Sequence, residues 1–356
     1  MVNDRTGIGR GALAEWLIAN AGPVIRYRTA REIVGGRVDP TLTDGLPTSR
    51  LVRLWLERLD HVRRQHNSGN DCLENVMGKL LELGLHAGIA PLDERMGFVR
   101  KWMSDARSTW PADMMRVLDG AIVAWGLARA GYDDENVRWF LSLRLDTICR
   151  AIDEIGFDVY TDARVYSDIP GAFRGKPLLK PELTPGGELR LPYVHDLYAF
   201  SALPPSMRTA AVNRQVDKIV GYVLDDAYQS LYTGYGILRA GKRKYYGVGW
   251  SVHLPKITDI GAGNGLSGCL VQRLELMAHF GAARRHPWVV AARKHLEGFC
   301  TERGTYLFPR SYLNERPTGY WVMGAHMGLE ENRRSPRAIE LESTFRMLRI
   351  AKLLDG

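Results

Sequence analysis

The sequence has no long apolar run, no signal peptide and no regular cysteine spacing. Its longest apolar runs, such as AIVAWGLARAG, are too short to span a bilayer. The opening MVNDRTGIGRG lacks the apolar core of a signal peptide. The four cysteines are far apart and show no metal or redox spacing: Cys72, Cys149, Cys269 and Cys300. We therefore expect a cytoplasmic protein with reduced, mostly buried thiols, no transmembrane segment, no metal and no cofactor.

The basic residues are not concentrated in a recognisable nucleic-acid-binding module. The 356 residues are 45% hydrophobic and 25% charged, which is an ordinary globular mixture, with a net charge of +8. The basic residues are spread along the chain: Arg63-Arg64, Arg284-Arg285, Arg333-Arg334 and the run Arg239 to Lys244. This spread indicates solvated helix faces and predicts no nucleic-acid partner, while an anionic small-molecule substrate stays open.

Helical periodicity dominates, beginning with the stretch Asp71 to Arg107. Its apolar residues recur at helical spacing: Leu73, Val76, Met77, Leu80, Leu81 and Leu85. Asp71 suits an N-cap with Glu74 three residues on, as in a capping box. Gly88 and Pro91 end this helix, and Asp93 suits the cap of the next. The stretch therefore predicts a helix, a short turn and a second helix.

Later segments repeat this helix pair. The predicted helices are Ala12–Ala21, Val24–Val34, Leu51–Arg64, Asp113–Ala130, Asp134–Ile155, Tyr193–Ala202, Met207–Leu231, Leu266–Arg284, Trp288–Glu302 and Ile339–Leu354. Alternating runs typical of strands are not evident. Turns inside each pair are short, whereas residues 156–192, 232–265 and 303–338 form long connections rich in Tyr, Trp, His and Gly. Long ordered loops often carry function, so we expect the site on the face that they share.

Two segments support a family resemblance. VIRYRTAREIVGG and CLENVMGKLLELGL resemble bacterial proteins grouped with the squalene-cyclase and prenyltransferase repeats. The resemblance implies an all-α fold, an α/α toroid over residues 51–356, with residues 1–50 as an N-terminal helical extension. The Asp-x-Asp-Asp motif of class II cyclases has its nearest match at Val223-Leu224-Asp225-Asp226, where the first Asp is missing. The Gln/Trp repeats of squalene-hopene cyclases are absent.

In such a toroid, the N-terminal ends of the inner helices and the preceding loops face the cavity. His195 in LPYVHDLYAF is our candidate proton-transfer group, with Asp196 either orienting it or capping the helix. An extended segment would place Tyr160, Asp162, Arg164 and Tyr166 on one side, with Arg164 for an anionic group. Glu340 and Glu74 are the alternative catalytic groups, and Glu74 falls at the first corner of the toroid together with His66, Asn67 and Asp71.

The candidate substrate-binding residues come from the same corners and loops. They are His66, Asn67, Asp71, Tyr193, Trp250, His253, Arg310, Tyr312, Trp321 and His326, with Asp113, Tyr320 and Glu342 nearby in sequence. The aromatic side chains either line a pocket or pack the loops together. The glycine-rich turn Gly261 to Gly265 either approaches a phosphate or gives a flexible entry to a helix.

Three functions fit these observations. The first is a terpene-cyclase-like enzyme with an aromatic-lined pocket and acid–base chemistry. The second is a carbohydrate-active lyase or hydrolase on the same scaffold, and the third is a non-catalytic helical scaffold that binds a ligand or partner. For the enzyme hypotheses, the substrate is a small hydrophobic molecule or a saccharide.

Overall fold

The computed structural model describes residues 9–110, 114–185, 188–256 and 269–356, and of Met114 the backbone alone. The chain forms two compact units. Unit 1 contains Met1–Arg95 and Pro255–Gly356, and unit 2 contains Met96–Leu254. The N-terminal segment 1–50 that the sequence analysis sets apart as an extension falls within unit 1, which also joins the two ends of the chain.

Unit 1 is built from helices. They are α1 (Arg10–Asn20), α2 (Pro23–Arg28, continued by a π-helical turn Thr29–Val34), α3 (Pro40–Gly45), α4 (Arg50–Leu59), α5 (Leu73–Glu82) and α6 (Ala90–Asp93). Unit 2 contributes α7 (Gly97–Ser108), α8 (Met114–Ala130), α9 (Glu135–Glu154), α10 (Val194–Phe200), α11 (Ala210–Leu224) and α12 (Asp226–Gln229). Unit 1 ends with α13 (Leu270–Ala278), α14 (Pro287–Glu297) and α15 (Pro336–Asp355). The predicted predominance of helix is confirmed.

Some helices are buried on every side, whereas others have one apolar face. Every residue of α5, α10 and α13 is buried. By contrast, α4 buries Val52, Trp55, Leu56 and Leu59 and exposes Arg50 and Arg53, which is the pattern of a helix lying on a core. None of the described helices is long and apolar enough to cross a membrane.

A small four-stranded sheet in unit 2 corrects the all-α prediction. Its strands are β1 (Tyr160–Thr161), β2 (Leu178–Leu179), β3 (Gly236–Gly241) and β4 (Lys244–Val248), in that order across the sheet. β2 and β3 are parallel, and the other two pairs are antiparallel. All four strands lie in segments predicted as long loops. The sequence pattern does not predict these strands, because β1 and β2 have two residues each and β3 and β4 lack strict alternation of apolar and polar residues.

The helix starts also needed correction. Cys72, rather than Asp71, is the N-cap of α5, and its sulfur accepts a hydrogen bond from Asn75 N at 3.5 Å. Asp93 lies inside α6, where its carboxylate accepts from Gly88 N at 2.9 Å. The connection between the predicted helices Val24–Val34 and Leu51–Arg64, for which no helix was predicted, contains α3. No disulfide is found among the described residues; Cys72, Cys149 and Cys269 are buried, and Cys300 is exposed.

Candidate functional site

The first turn of α5 places a buried carboxylate against a histidine. Glu74 Oε2 lies 2.6 Å from His66 Nδ1. The Glu74 side chain is 0% exposed, whereas the His66 side chain is 14% exposed. His66 therefore links a fully buried carboxyl group to a partly exposed position in unit 1.

The contact with Glu74 determines which nitrogen of the His66 imidazole carries the proton. When Glu74 is ionised its carboxylate can only accept a hydrogen bond, and His66 Nδ1 is then the donor. In the neutral ring the basic lone pair is then on Nε2. A histidine held in this way can take a proton at Nε2, and the imidazolium that results is stabilised by Glu74.

Backbone hydrogen bonds fix His66 above α5. Leu73 N donates to Arg64 O at 2.8 Å, and Glu74 N donates to Gln65 O at 3.0 Å. These two bonds hold the segment before His66 against the start of the helix, so the imidazole reaches Glu74 although eight residues separate them in sequence. Sequence analysis placed both residues at one corner but missed their pairing, because only the fold brings them into contact.

Asn75 ties three segments together beside this pair. Its Nδ2 donates to Gly69 O at 2.9 Å and to Gly319 O at 2.7 Å, and its Oδ1 accepts from Trp321 N at 2.7 Å. Asn75 is fully buried, so each bond is made without competition from water. Asn67 closes its own turn, with Oδ1 accepting from Gly69 N at 2.6 Å.

An aromatic ring covers the histidine. Tyr320 stacks on His66 with ring centroids 5.1 Å apart and an interplanar angle of 15°. Burial raises the pKa of Tyr320 above its ordinary value. The next residue, Trp321, is 0% exposed and receives a hydrogen bond from Gln272 Nε2 at its carbonyl, 2.7 Å away. Three of the predicted binding residues, His66, Asn67 and Trp321, therefore belong to one corner.

Other groups in this corner are poor candidates for chemistry. Burial raises the pKa of the Cys72 thiol to about 11, which keeps it protonated and weakly nucleophilic. Asp71 is exposed. His326 is fully buried with its ring edge against Trp55, at a centroid distance of 5.2 Å.

Unit 2 contains the second histidine corner, around His195. This residue is fully buried, and its ring centroid lies 5.8 Å from that of Trp125 and 6.2 Å from that of Trp250. Trp250 has a left-handed backbone with φ of 71°, and its carbonyl accepts from Val194 N at 2.8 Å. The corner is thus aromatic and tightly held.

Asp196 is engaged away from His195. Its Oδ2 accepts from Tyr193 N at 2.8 Å, as the helix cap that sequence analysis gave as the alternative. The same oxygen lies 2.9 Å from Arg144 Nη2, and Arg144 Nε is 3.1 Å from Oδ1. Both carboxylate oxygens are therefore occupied by a buried ion pair and a cap. Tyr193 is buried as the N-cap residue of α10.

The prediction that residues 160–166 form an extended segment beside His195 is wrong. After β1, residues Ala163–Val165 form a 3-10 turn, which breaks the alternation of side chains. Asp162 and Arg164 pair with each other at 2.9 Å, with 47% and 92% of their side chains exposed. Tyr160 OH accepts from Tyr232 N at 3.0 Å. These three side chains form no hydrogen bond or ion pair with His195 in the described part of the chain.

His253 lies in a separate hydrogen-bonded cluster of unit 2. Its Nε2 lies 3.0 Å from Leu231 O, which can only accept, so Nε2 carries a proton. Its Nδ1 lies 2.7 Å from Ser251 Oγ. Tyr228 stacks on the ring at 5.7 Å. These contacts hold the loop after β4, and a role of His253 in substrate binding stays a prediction.

The remaining predicted residues of unit 1 are spread over its last connection and helix. Glu340 accepts from Thr305 Oγ1 at 2.5 Å and from Arg303 at 3.0 Å. Glu342 is fully buried and accepts from Leu329 N at 2.7 Å. Tyr312 OH lies 2.9 Å from His295 Nε2, and Arg310 is exposed. Glu340 and Glu342 thus anchor loops to α15.

Two predicted features lie outside the described residues: Asp113 and the glycine-rich turn Gly261 to Gly265. Within the described ranges, no group of three or more His, Cys, Asp or Glu side chains is placed to hold a metal ion. The chain matches no protein-family model, no curated protein and no solved structure with which it was compared.

Proposed function

We propose that this chain is an enzyme whose reaction proceeds by proton transfer, with His66 and Glu74 as its acid–base pair. The observation that carries the proposal is the 2.6 Å contact between a buried carboxylate and a partly exposed imidazole. Pairs of this kind contribute about 10²-fold to 10⁴-fold to a reaction rate. His66 and Glu74 replace His195, the first candidate from sequence, because Asp196 is committed to Arg144 and to the cap of α10.

Each residue of the corner has a role in this proposal. His66 takes a proton from the substrate at Nε2 and later returns it. Glu74 keeps the ring in the required tautomer and stabilises its charged form. Tyr320 restricts the His66 ring from one face. Asn75 in α5 binds the two loops that carry His66 and Tyr320, through Gly69 O and Gly319 O. Such prior placement lowers the cost of reaching the transition state.

We also propose that the helices belong to the predicted α/α toroid. Three helices buried on all sides, α5, α10 and α13, support this proposal, because inner helices of a toroid are covered all round. Helices with one apolar face follow two of them, α11 after α10 and α14 after α13, as outer helices would. The terpene-cyclase-like function draws support from the aromatic surroundings of His195.

The saccharide hypothesis has its own supporting observation. His66, Asn67 and Tyr320 come together at one corner, and Tyr, His and Asn side chains suit proton abstraction and sugar stacking. A hydrolase would instead need two facing carboxylates. We therefore favour a lyase over a hydrolase among carbohydrate-active functions. The hypothesis of a non-catalytic scaffold does not explain why a buried carboxylate contacts a partly exposed histidine.

Kinetic assays of three variants test the proposal. The protein is assayed with polyprenyl substrates and with neutral and acidic oligosaccharides, and turnover is followed by mass spectrometry. We expect His66→Gln to lower kcat by about 10²-fold or more, because it removes the proton acceptor. The matched control is His61→Gln, which changes an exposed histidine of the same segment and leaves kcat unchanged.

Folding must be separated from chemistry in this experiment. His66→Gln leaves the buried Glu74 without its imidazole, so the double variant with Glu74→Gln serves as the fold control. Full activity of a folded His66→Gln variant on a substrate that the wild type converts would overturn the proposal.

A further inference from the structure

The tip of the β3–β4 hairpin carries basic residues where glycine and asparagine are favoured. Gly241 pairs with Lys244, so Lys242 and Arg243 are the two central residues of the turn. Arg243 has a left-handed backbone with φ of 57°. Two-residue hairpin turns prefer Asn-Gly because that conformation strains residues with a Cβ atom. Residues held in this region of backbone space occur often at binding sites, so the turn is a candidate for one.

Asp168 holds the strained turn in place. Its Oδ2 accepts from Arg243 N at 2.8 Å, and its Oδ1 accepts from Tyr245 OH at 2.5 Å. Arg239, further down the hairpin, lies over the ring of Tyr166 at 4.9 Å. The turn is therefore a rigid support for the exposed side chains of Lys242, Arg243 and Lys244.

Positive charge that looked dispersed in sequence is gathered by the fold around this sheet. Segments 158–180 and 236–248 contain eight Lys and Arg residues against three Asp. Two of the eight, Arg174 and Lys176, belong to the loop after β1, whose Phe173 lies 3.7 Å from the Cβ position of Gly247 in β4. Within the described part of the chain, Arg174, Lys176, Lys242 and Arg243 form no ion pair.

The shape of the hairpin narrows the choice of anionic partner. β2 pairs with β3 at Ile237 alone, so no third described strand pairs with the hairpin beyond Leu238, and the loop after β1 contacts it through Asp168 and Phe173. A two-stranded ribbon fits the major groove of DNA, and lysine and arginine at its tip reach phosphates. We propose that the β3–β4 hairpin binds duplex DNA, with Lys242, Arg243 and Lys244 contacting the backbone. This goes beyond the proposed proton transfer at His66.

Fluorescence anisotropy with a labelled 20-base-pair duplex tests the inference on the full chain. In K242Q/R243Q/K244Q we expect at least tenfold weaker binding at low salt. We also expect the slope of log K against log salt to be less steep by up to about three, because each phosphate contact contributes about 0.9. The control R53Q/R150Q/R214Q removes the same charge from exposed helical arginines and should change affinity less than threefold.

A second variant separates binding from folding. Arg243→Gly relieves the left-handed backbone, so we expect it to raise the melting temperature while weakening DNA binding about threefold or more. Equal losses in the triple variant and its control would overturn the proposal. Retention of a sulfated polysaccharide or of anionic vesicles by the same three residues, with no binding of the duplex, would also overturn it.

Discussion

At the scale of single residues, unit 1 contains a chain of ion pairs in its helical core. Its members alternate in charge: Arg28, Glu32, Arg349, Glu275, Arg346 and Glu82. Arg346 is fully buried and lies 2.7 Å from Glu82 and 2.8 Å from Glu275. Arg28 also lies 3.4 Å from Glu82, so each member has two partners and loss of any one leaves its two neighbours with a single partner each. The network therefore makes the packing of these helices sensitive to protonation.

The pKa of Glu32 shows how the stability of this network changes with pH. Burial alone would raise its pKa, but Arg28 and Arg349 lower the pKa of Glu32 from its ordinary 4.5 to about 2. A carboxylate with a lowered pKa stabilises the fold above its unfolded pKa, and the contribution is lost as pH falls towards the folded value. We expect Glu32→Gln to unfold about 2 kcal/mol more easily at pH 7, a value reduced for the 22% exposure of the side chain.

Urea denaturation of the wild type and of Glu32→Gln across pH shows whether the charge of Glu32 is responsible for the difference in stability. The difference in the free energy of unfolding should narrow as pH falls from about 4.5 towards 2. A difference that stays constant over this range would mean that Glu32 acts through packing and not through its charge.

At the scale of elements, the candidate site depends on one glycine of α5, Gly78, against which Trp321 packs. A Cβ atom at Gly78 would lie 2.3 Å from Cγ of Trp321, which is fully buried. Only glycine allows the indole to pack on the helix. The position of Trp321 in turn fixes the adjacent Tyr320 over His66. The site therefore depends on the close approach of α5 to the segment 320–321.

Two alanine substitutions in helices test this dependence. We expect Gly78→Ala to lower the free energy of unfolding by about 2–3 kcal/mol, because the methyl group overlaps Trp321. Gly221→Ala in α11 meets no atom within 4 Å, so helix propensity should raise stability by about 0.5–1 kcal/mol. Urea denaturation measures both. Equal effects of the two changes would contradict the packing of Trp321 on Gly78.

The helices were predictable from sequence, whereas their caps and the sheet were not. Periodic apolar residues predicted α8, α9 and α15 to within a few residues of their observed ends. The start of α5 was misplaced by one residue because Cys72 caps it, and cysteine is not among the usual capping residues. The β3–β4 hairpin lacks the Asn-Gly signal of a tight turn, since Lys242 and Arg243 take its place.

At the scale of the whole molecule, the candidate site was predictable in part. Sequence analysis placed His66 and Glu74 at one corner, because His66 precedes and Glu74 begins a helix expected to be an inner helix of the toroid. Their pairing could not be predicted, since it depends on backbone bonds between residues 64–65 and 73–74. The assignment of Tyr160, Asp162 and Arg164 to His195 relied on an extended backbone that the 3-10 turn replaces.

The central claim is that Glu74 sets the tautomer of His66, and NMR tests it most directly. Two-bond ¹H–¹⁵N spectra of histidine-labelled protein, recorded at a pH where the ring is neutral, identify the protonated nitrogen, with His66→Gln giving the assignment. We expect the proton on Nδ1 in the wild type and a shift towards Nε2 in Glu74→Met, which removes the acceptor. A proton on Nε2 in the wild type, or the same tautomer in both proteins, would contradict the claim.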